Sequence, residues 1–282
     1  MLTITDKTAL RKQLVEWHQV GESVALVPTM GNLHKGHLSL VQLAAEHAER
    51  VVVSVFVNPT QFGPDEDFAQ YPRTPEKDAR LLKRAGVDVL FMPDVDEVYP
   101  NGAEDATEVS VPAISDILCG AHRPGHFDGV ASVVLRLFNM VSPNIAVFGQ
   151  KDYQQLVILR KMASDLHLPV KILAGQTHRD DSGLAMSSRN QYLTDEELEI
   201  APLLYQTLTD AKDKLLAGEQ DVATIQSAAI EQLSAGGFGP DYFEIRKAGD
   251  LSPVTEPKGN MVIVTAAMLG KARLIDNLLV ES

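Results

Sequence analysis

The stretch Ser23-Val24-Ala25-Leu26-Val27-Pro28-Thr29-Met30-Gly31-Asn32-Leu33-His34-Lys35-Gly36-His37 decides the fold. It opens with a short apolar run stopped by Pro28, which reads as a buried strand. Beyond the glycines, residues 36–50 place Leu40, Leu43, Ala44 and Ala48 on one helical stripe. Val51 to Val57 is a β-branched run and reads as a second buried strand. Strand, tight loop, helix and strand within about 35 residues form a βαβ unit, which requires a parallel sheet with a right-handed crossover.

The alternation extends in both directions. Residues 5–20 predict a helix, with Leu10, Leu14 and Trp17 on one face. Residues 75–86 predict a helix ended by Gly86, followed by a strand from Val87 to Met92. Helices over 129–141 and 152–167 alternate with strands at Ile145 to Phe148 and Val170 to Leu173. This predicts a doubly wound α/β domain over 1–175. The tail changes character. Helices are predicted over 195–217 and 221–235, then strands at Tyr242 to Arg246, Met261 to Ala266 and Ala272 to Asn277. That order suggests a smaller α+β domain over 176–282 that closes over the site. The Gly-, Asp- and Ser-containing stretch from Leu173 to Arg189 is the expected junction.

Composition sets the outer bounds. The length of 282 residues agrees with two domains, and a chain of this size folds without disulfide or metal staples. Lys and Arg number 25 against 38 Asp and Glu, a net charge of −13. This argues against binding nucleic acid through a basic face. Small anions need only a local positive site. The single cysteine, Cys119, excludes an intramolecular disulfide framework and a cysteine-rich zinc site, and is expected to be a buried small hydrophobe. Met1 to Lys7 lacks the pattern of a signal peptide, and Val51 to Val57 is far too short to span a bilayer. The expectation is a soluble, cytoplasmic protein with no membrane partner.

The first loop carries the strongest chemical signal. It joins a strand end to a helix start, where free N–H groups and the helix dipole favour phosphate. It is not a Walker A loop, because His37 and Leu38 follow Gly36, and it lacks the dinucleotide fingerprint Gly-x-Gly-x-x-Gly. It offers His34 and His37, three apart on one helix face at its positive end. Neutral imidazoles there can still donate hydrogen bonds to charge developing on phosphate. Helix-capping histidines or a metal pair are the alternatives, although no third ligand stands nearby in sequence.

The string Met30-Gly31-Asn32-Leu33-His34-Lys35-Gly36-His37-Leu38-Ser39-Leu40 resembles the pantoate–β-alanine ligases, within the His-x-Gly-His nucleotidyltransferase superfamily. Further segments fit in the family's order. Asn58-Pro59-Thr60-Gln61 follows the second strand, where amides can bind hydroxyls and carboxylates without adding charge or can simply organise the turn. The resemblance makes this a pantoate-binding segment, with Gln61 contacting the substrate. The resemblance makes Gly125-His126-Phe127-x-Gly129-Val130 a binding-pocket segment, with a purely structural loop as the alternative, and Pro124-Gly125 predicts a turn between His122 and His126.

Gly149-Gln150-Lys151-Asp152 is a second phosphate-competent turn. Asp152 could cap the helix or orient a Mg²⁺ shell. Gln155 lies one turn further, and the resemblance implies a pantoate contact there. Met186-Ser187-Ser188-Arg189 resembles the superfamily's Met-Ser-Lys-Ser loop, with Arg189 as the cation. The family's Asp before the glycine is replaced by Ser182, so Asp180, Asp181 and Ser182 carry no assignment.

The resemblance implies a Rossmann-like nucleotidyltransferase fold. It also implies ATP-dependent condensation of (R)-pantoate with β-alanine through a pantoyl adenylate, releasing pyrophosphate and AMP. His34, His37, Lys151, Ser187, Ser188 and Arg189 would act on the phosphates. Met30 to His37, Gly149 to Asp152 and Met186 to Arg189 would bind ATP. Asn58, Gln61 and Gln155 would bind pantoate or β-alanine. Mg²⁺ would come with ATP, held mainly by its phosphates, with no protein metal site. The partners would be small molecules, with a homodimer as the assembly. The rivals are a nucleotidyltransferase that stops at the activated product and a nucleotide-binding regulator on the same fold.

Overall fold

The computed structural model describes residues 1–64, 66 and 68–281. The chain forms two compact units, Met1–Gln150 with Ile158–Gln176, and Lys151–Val157 with Thr177–Ser282.

The first unit is built on a six-stranded sheet in which every strand pairing is parallel. Its strands are β1 (Leu2–Ile4), β2 (Val24–Thr29), β3 (Arg50–Val55), β4 (Val89–Phe91), β5 (Ile145–Gly149) and β6 (Lys171–Gly175), in the order β1-β4-β3-β2-β5-β6. Helices α1 (Lys7–Gln19), α2 (Lys35–Ala45) and α3 (Pro75–Arg84) alternate with these strands. The short α4 (Val95–Val98) and α5 (Cys119–His122) then precede α6 (His126–Val141). Helix α7 (Tyr153–Asp165) follows β5 and crosses the division between the units.

Because such a sheet is covered on both faces, β2 is an unbroken buried run from Val24 to Val27 rather than an alternating one. Ala25 and Val27 pack with Leu40, Val41 and Ala44 of α2 and with Leu82 of α3. On α1, Leu10, Leu14 and Trp17 form the buried stripe that their spacing predicts. The chain winds outward from β2 through β3 to β4 and then returns to β5 beside β2. The switch point therefore lies at the carboxyl ends of β2 and β5, where ligands bind in sheets of this kind. Thr29 and Gly149 end those strands, so both turns singled out in the sequence leave the sheet there.

The second unit contains α8 (Asp195–Ile200), α9 (Leu203–Leu216), α10 (Val222–Ala235) and an antiparallel sheet of β7 (Gly239–Lys247), β8 (Met261–Leu269) and β9 (Ala272–Val280). One face of the sheet packs on α9 and α10 through Ile263, Ala267, Ala272 and Leu274 against Leu204, Leu208, Ile225 and Leu233.

Several element expectations need correction. The single helix expected over 195–217 is two, because Pro202 has no N–H to donate and stands just before α9. Strand β1, not expected from the sequence pattern, is three residues long and pairs with β4. Helix α6 starts at His126, three residues earlier than expected, after Gly125 takes φ +76°. Pro124-Gly125 does separate His122 from His126 as a turn. Cys119 is a buried thiol outside any disulfide.

Candidate active site

In the first unit, the β2–α2 loop is clamped by a carboxylate that the sequence did not reveal. Asp78 of α3 is fully buried, and its oxygens accept the backbone N–H groups of Asn32 (2.9 Å) and Leu33 (2.8 Å) and the Thr74 hydroxyl (3.1 Å). The backbone N–H groups of Asn32 and Leu33 are thus spent on holding the loop. Gly31 takes φ +83°, and a Cβ there would come within 3.1 Å of both Asp78 Oδ2 and Val55 Cγ1. The loop can pass between them only as glycine.

His34 caps α2 in extended conformation, and its carbonyl accepts from His37 N (2.9 Å) and Leu38 N (3.2 Å). Its own N–H donates to His37 Nδ1 at 3.3 Å. With Nδ1 an acceptor, the proton of a neutral His37 ring sits on Nε2. The two rings lie 4.0 Å apart, and both are half-buried. Lys35 is exposed at the helix start, and the Gly36 carbonyl accepts from the Ser39 hydroxyl at 2.8 Å.

A second cluster follows β3, where Pro59–Gln61 form a 3-10 turn. Asn58 is 1% exposed. Its Nδ2 donates to Gln61 Oε1 (3.2 Å) and the Gly129 carbonyl (3.2 Å), while its Oδ1 accepts from Tyr99 Oη (2.7 Å) and Thr60 Oγ1 (3.1 Å). Every polar valence of that amide is used internally, so Asn58 orients Gln61 rather than offering a surface to ligand. Gln61 in turn places Nε2 3.1 Å from Met30 Sδ, which brings two predicted residues from different loops together. Burial pushes the Tyr99 phenol pKa up, so it remains a donor to Asn58.

The Gln61 carbonyl accepts from His126 Nδ1 at 2.7 Å, and His126 Nε2 lies 2.9 Å from Arg123 Nη1. Arg123 also forks onto Glu66, with both bonds at 2.6 Å. Burial raises the Glu66 pKa, but the Arg123 hydrogen bonds and charge outweigh it and hold the group below its ordinary value. The segment 123–126 therefore buttresses the Gln61 turn. Gly129 permits the contact, because a Cβ there would lie 2.3 Å from the Thr60 carbonyl oxygen. At the end of β5, Gly149 pairs with Gly175, and Gln150 N donates to the Gly175 carbonyl at 2.8 Å.

In the second unit, Lys151 and Asp152 lead into α7, with their charged atoms 3.9 Å apart. Gln155 sits half-buried in the first turn of that helix. The Ser187 hydroxyl accepts from Arg189 N at 3.2 Å and keeps its own proton to donate. Ser188 and Arg189 begin a 3-10 turn, Ser188–Tyr192. Met186 N is tied to the His178 carbonyl at 2.9 Å. Asp180, unassigned from sequence, closes the intervening turn by accepting from Ser182 N (3.0 Å), Ser182 Oγ (2.5 Å) and Leu184 N (3.1 Å).

A parallel sheet bearing His-x-Gly-His at its switch point, with Lys-Asp and Ser-Ser-Arg segments further along, defines an enzyme of the nucleotidyltransferase superfamily. The comparisons narrow this. The family model described as pantoate-beta-alanine ligase matches residues 2–279. A pantothenate synthetase of Methylococcus capsulatus is 52% identical over 281 residues, covering 100% of this chain and 98% of that protein. One from Idiomarina loihiensis is 54% identical, covering 96% of each. The crystal structure of the Thermus thermophilus pantothenate synthetase superposes with a TM-score of 0.94 at 45% identity and full coverage of both chains. The Francisella tularensis ligase, complexed with beta-gamma ATP and beta-alanine, gives 0.84 at 34% identity, covering 100% of this chain and 98% of that one.

The chain belongs to the pantoate–β-alanine ligase family. It is a ligase that joins pantoate to β-alanine, and ATP is a substrate of the family. No helix among the described residues is long and apolar enough to cross a membrane.

Proposed function

We propose that this chain makes pantothenate in two steps, with the residues above in distinct roles. The pantoate carboxylate attacks the α-phosphorus of ATP, forming pantoyl adenylate and expelling pyrophosphate. The β-alanine amine then attacks the acyl carbon, forming the amide and releasing AMP. Neither step needs an enzyme nucleophile. Catalysis reduces to alignment of anions and stabilisation of charge on phosphate oxygens.

His37 is assigned as a hydrogen-bond donor to the α-phosphate through Nε2, with His34 beside it. The bond from the His34 N–H to His37 Nδ1 carries this reading, because it fixes which ring nitrogen holds the proton. Lys151, Ser187, Ser188 and Arg189 hold the phosphates, with main-chain support from Gly149, Gln150, Asp152 and Met186. Gln61 and Gln155 hold pantoate, with Asn58 fixing the Gln61 amide. The ligands of the Francisella tularensis relative support ATP and β-alanine as co-substrates.

Mg²⁺ arrives as part of the nucleotide substrate. Among the described residues no group of three or more His, Cys, Asp or Glu is placed to hold a metal ion. The ion is assigned mainly to the ATP phosphates, and Asp152 is the side chain assigned to its outer shell. We further assign a homodimeric assembly and a cytoplasmic location.

Omitting β-alanine tests the sequence of steps. The expected result is a burst of pyrophosphate equal to the enzyme present, with AMP appearing only once the amine is added. Pyrophosphate release that waits for β-alanine would contradict the two-step reading.

A further inference from the structure

The second unit carries two adjacent buried polar residues on β9, inside the otherwise apolar run Leu274-Ile275-Asp276-Asn277-Leu278-Leu279-Val280. Asp276 is 4% exposed and Asn277 2%. Successive side chains of a strand point to opposite faces, so the two reach different neighbours.

Asp276 takes the fork of Arg179, with Oδ2–Nη1 at 2.5 Å and Oδ1–Nη2 at 2.9 Å. Arg179 also donates to the Gly183 carbonyl (3.1 Å) and stacks 3.6 Å from the Tyr205 ring centroid. It bridges to Ala185, while its neighbour His178 accepts the Met186 N–H. The pair thus grips both arms of the turn that delivers Ser187, Ser188 and Arg189. On the other side, Asn277 Nδ2 donates 2.8 Å to the main-chain carbonyl of Lys151. Asp276 Oδ1 also accepts the Asn277 N–H at 2.8 Å, so the two anchors share one rigid piece of strand.

A buried ion pair is a weak source of net stability, since desolvation offsets most of its attraction. A buried amide on a strand core is likewise easily replaced by an apolar side chain. What these residues hold is the informative part. Lys151 belongs to a turn assigned to the triphosphate, and Arg179 is bridged to Ala185, next to the Met186–Arg189 segment assigned to it; the two segments are far apart in sequence. We infer that Asp276 and Asn277 are positioning residues for adenylation: β9 is the template that sets the Lys151 turn and the Ser187–Arg189 segment relative to one another. The inference rests on the proposed phosphate role of those two segments.

Double-mutant cycles on the full chain test it. Asn277→Ala is expected to lower kcat/KM for ATP about five- to tenfold, the scale of one lost hydrogen bond, with KM for β-alanine unchanged. In a Lys151→Ala background the same substitution should add less than twofold, because residues acting through one another are not additive. A full multiplicative loss in that background would overturn the inference while leaving the Lys151 assignment standing. A fall in melting temperature with ATP kinetics intact would overturn it too. If Lys151→Ala alone leaves ATP kinetics untouched, the phosphate assignment fails and this inference falls with it. For Asp276, the milder Arg179→Lys keeps the charge and removes the fork. It should raise KM for ATP at least threefold with the fold intact, and become silent in Arg189→Ala; an unchanged KM would overturn the Asp276 arm.

Discussion

The orientation of His37 is set by a main-chain donor, the His34 N–H, rather than by the carboxylate that often orients a catalytic imidazole. Since the donor is backbone, substitution elsewhere cannot easily remove it, and deleting the ring costs α2 this one bond of its capping box. His37→Ala is therefore expected to cut turnover on the order of 100- to 1000-fold, the worth of one oxyanion-type donor, with an unchanged circular dichroism spectrum. A near-normal rate would remove His37 from the chemistry. Glu66 offers a different test at the same scale. Its folded-state pKa lies below the ordinary 4.5, so its ionised form stabilises the fold above that value, and the contribution is lost as pH falls through the lowered pKa. Denaturant titrations should show Glu66→Gln less stable than the wild type at pH 7, with the gap closing in acid. A gap that stays constant from pH 7 down into acid, as far as the fold persists, would mean the contact to Arg123 is not charge-dependent. At this scale the sequence was partly legible. His34, His37 and Gln61 stand out because their strand-end context is local. Asn58 invited a ligand role and instead satisfies its own turn, since burial is invisible in one dimension. Asp78 and Arg179 gave no signal, because their partners lie 46 and 97 residues away.

Among the elements, α6 shows how packing shapes the site. Gly129 lets the helix approach the Pro59–Gln61 turn so closely that the Asn58 amide reaches its carbonyl at 3.2 Å. A methyl group at Gly129 would lie 2.3 Å from the Thr60 oxygen, so helix or turn must move. Gly129→Ala should lose about 1–3 kcal/mol of stability, as overpacked sites do, and raise KM for pantoate more than KM for ATP. Equal changes in both would show that the strain is not focused on the Gln61 turn. Periodicity located α1 and α2 because they bury residues at helical spacing, and β2 stood out as an unbroken apolar run. It failed where a single residue decides, as at Pro202, and where the element is too short to have a period, as in β1. The antiparallel strands were found, but nothing in their apolar pattern announced that Asp276 and Asn277 anchor other segments.

For the whole molecule, net charge and chemistry point in different directions. The chain carries −13, yet pantoate and ATP are anions and β-alanine, a zwitterion, also presents a carboxylate. The relevant positive features are local: the amino-terminal ends of α2 and α7, Lys151 and Arg189. An acidic surface of this kind bears on solubility and on rejecting polyanions, and says little about the few groups assigned to the phosphates. In the proposed reaction these groups align the pantoate carboxylate with the α-phosphorus of ATP. The most direct measurement is oxygen transfer. With pantoate labelled by ¹⁸O in its carboxylate, one labelled oxygen should appear in AMP for each pantothenate formed, and none in pyrophosphate. AMP free of label, or label in pyrophosphate, would contradict it.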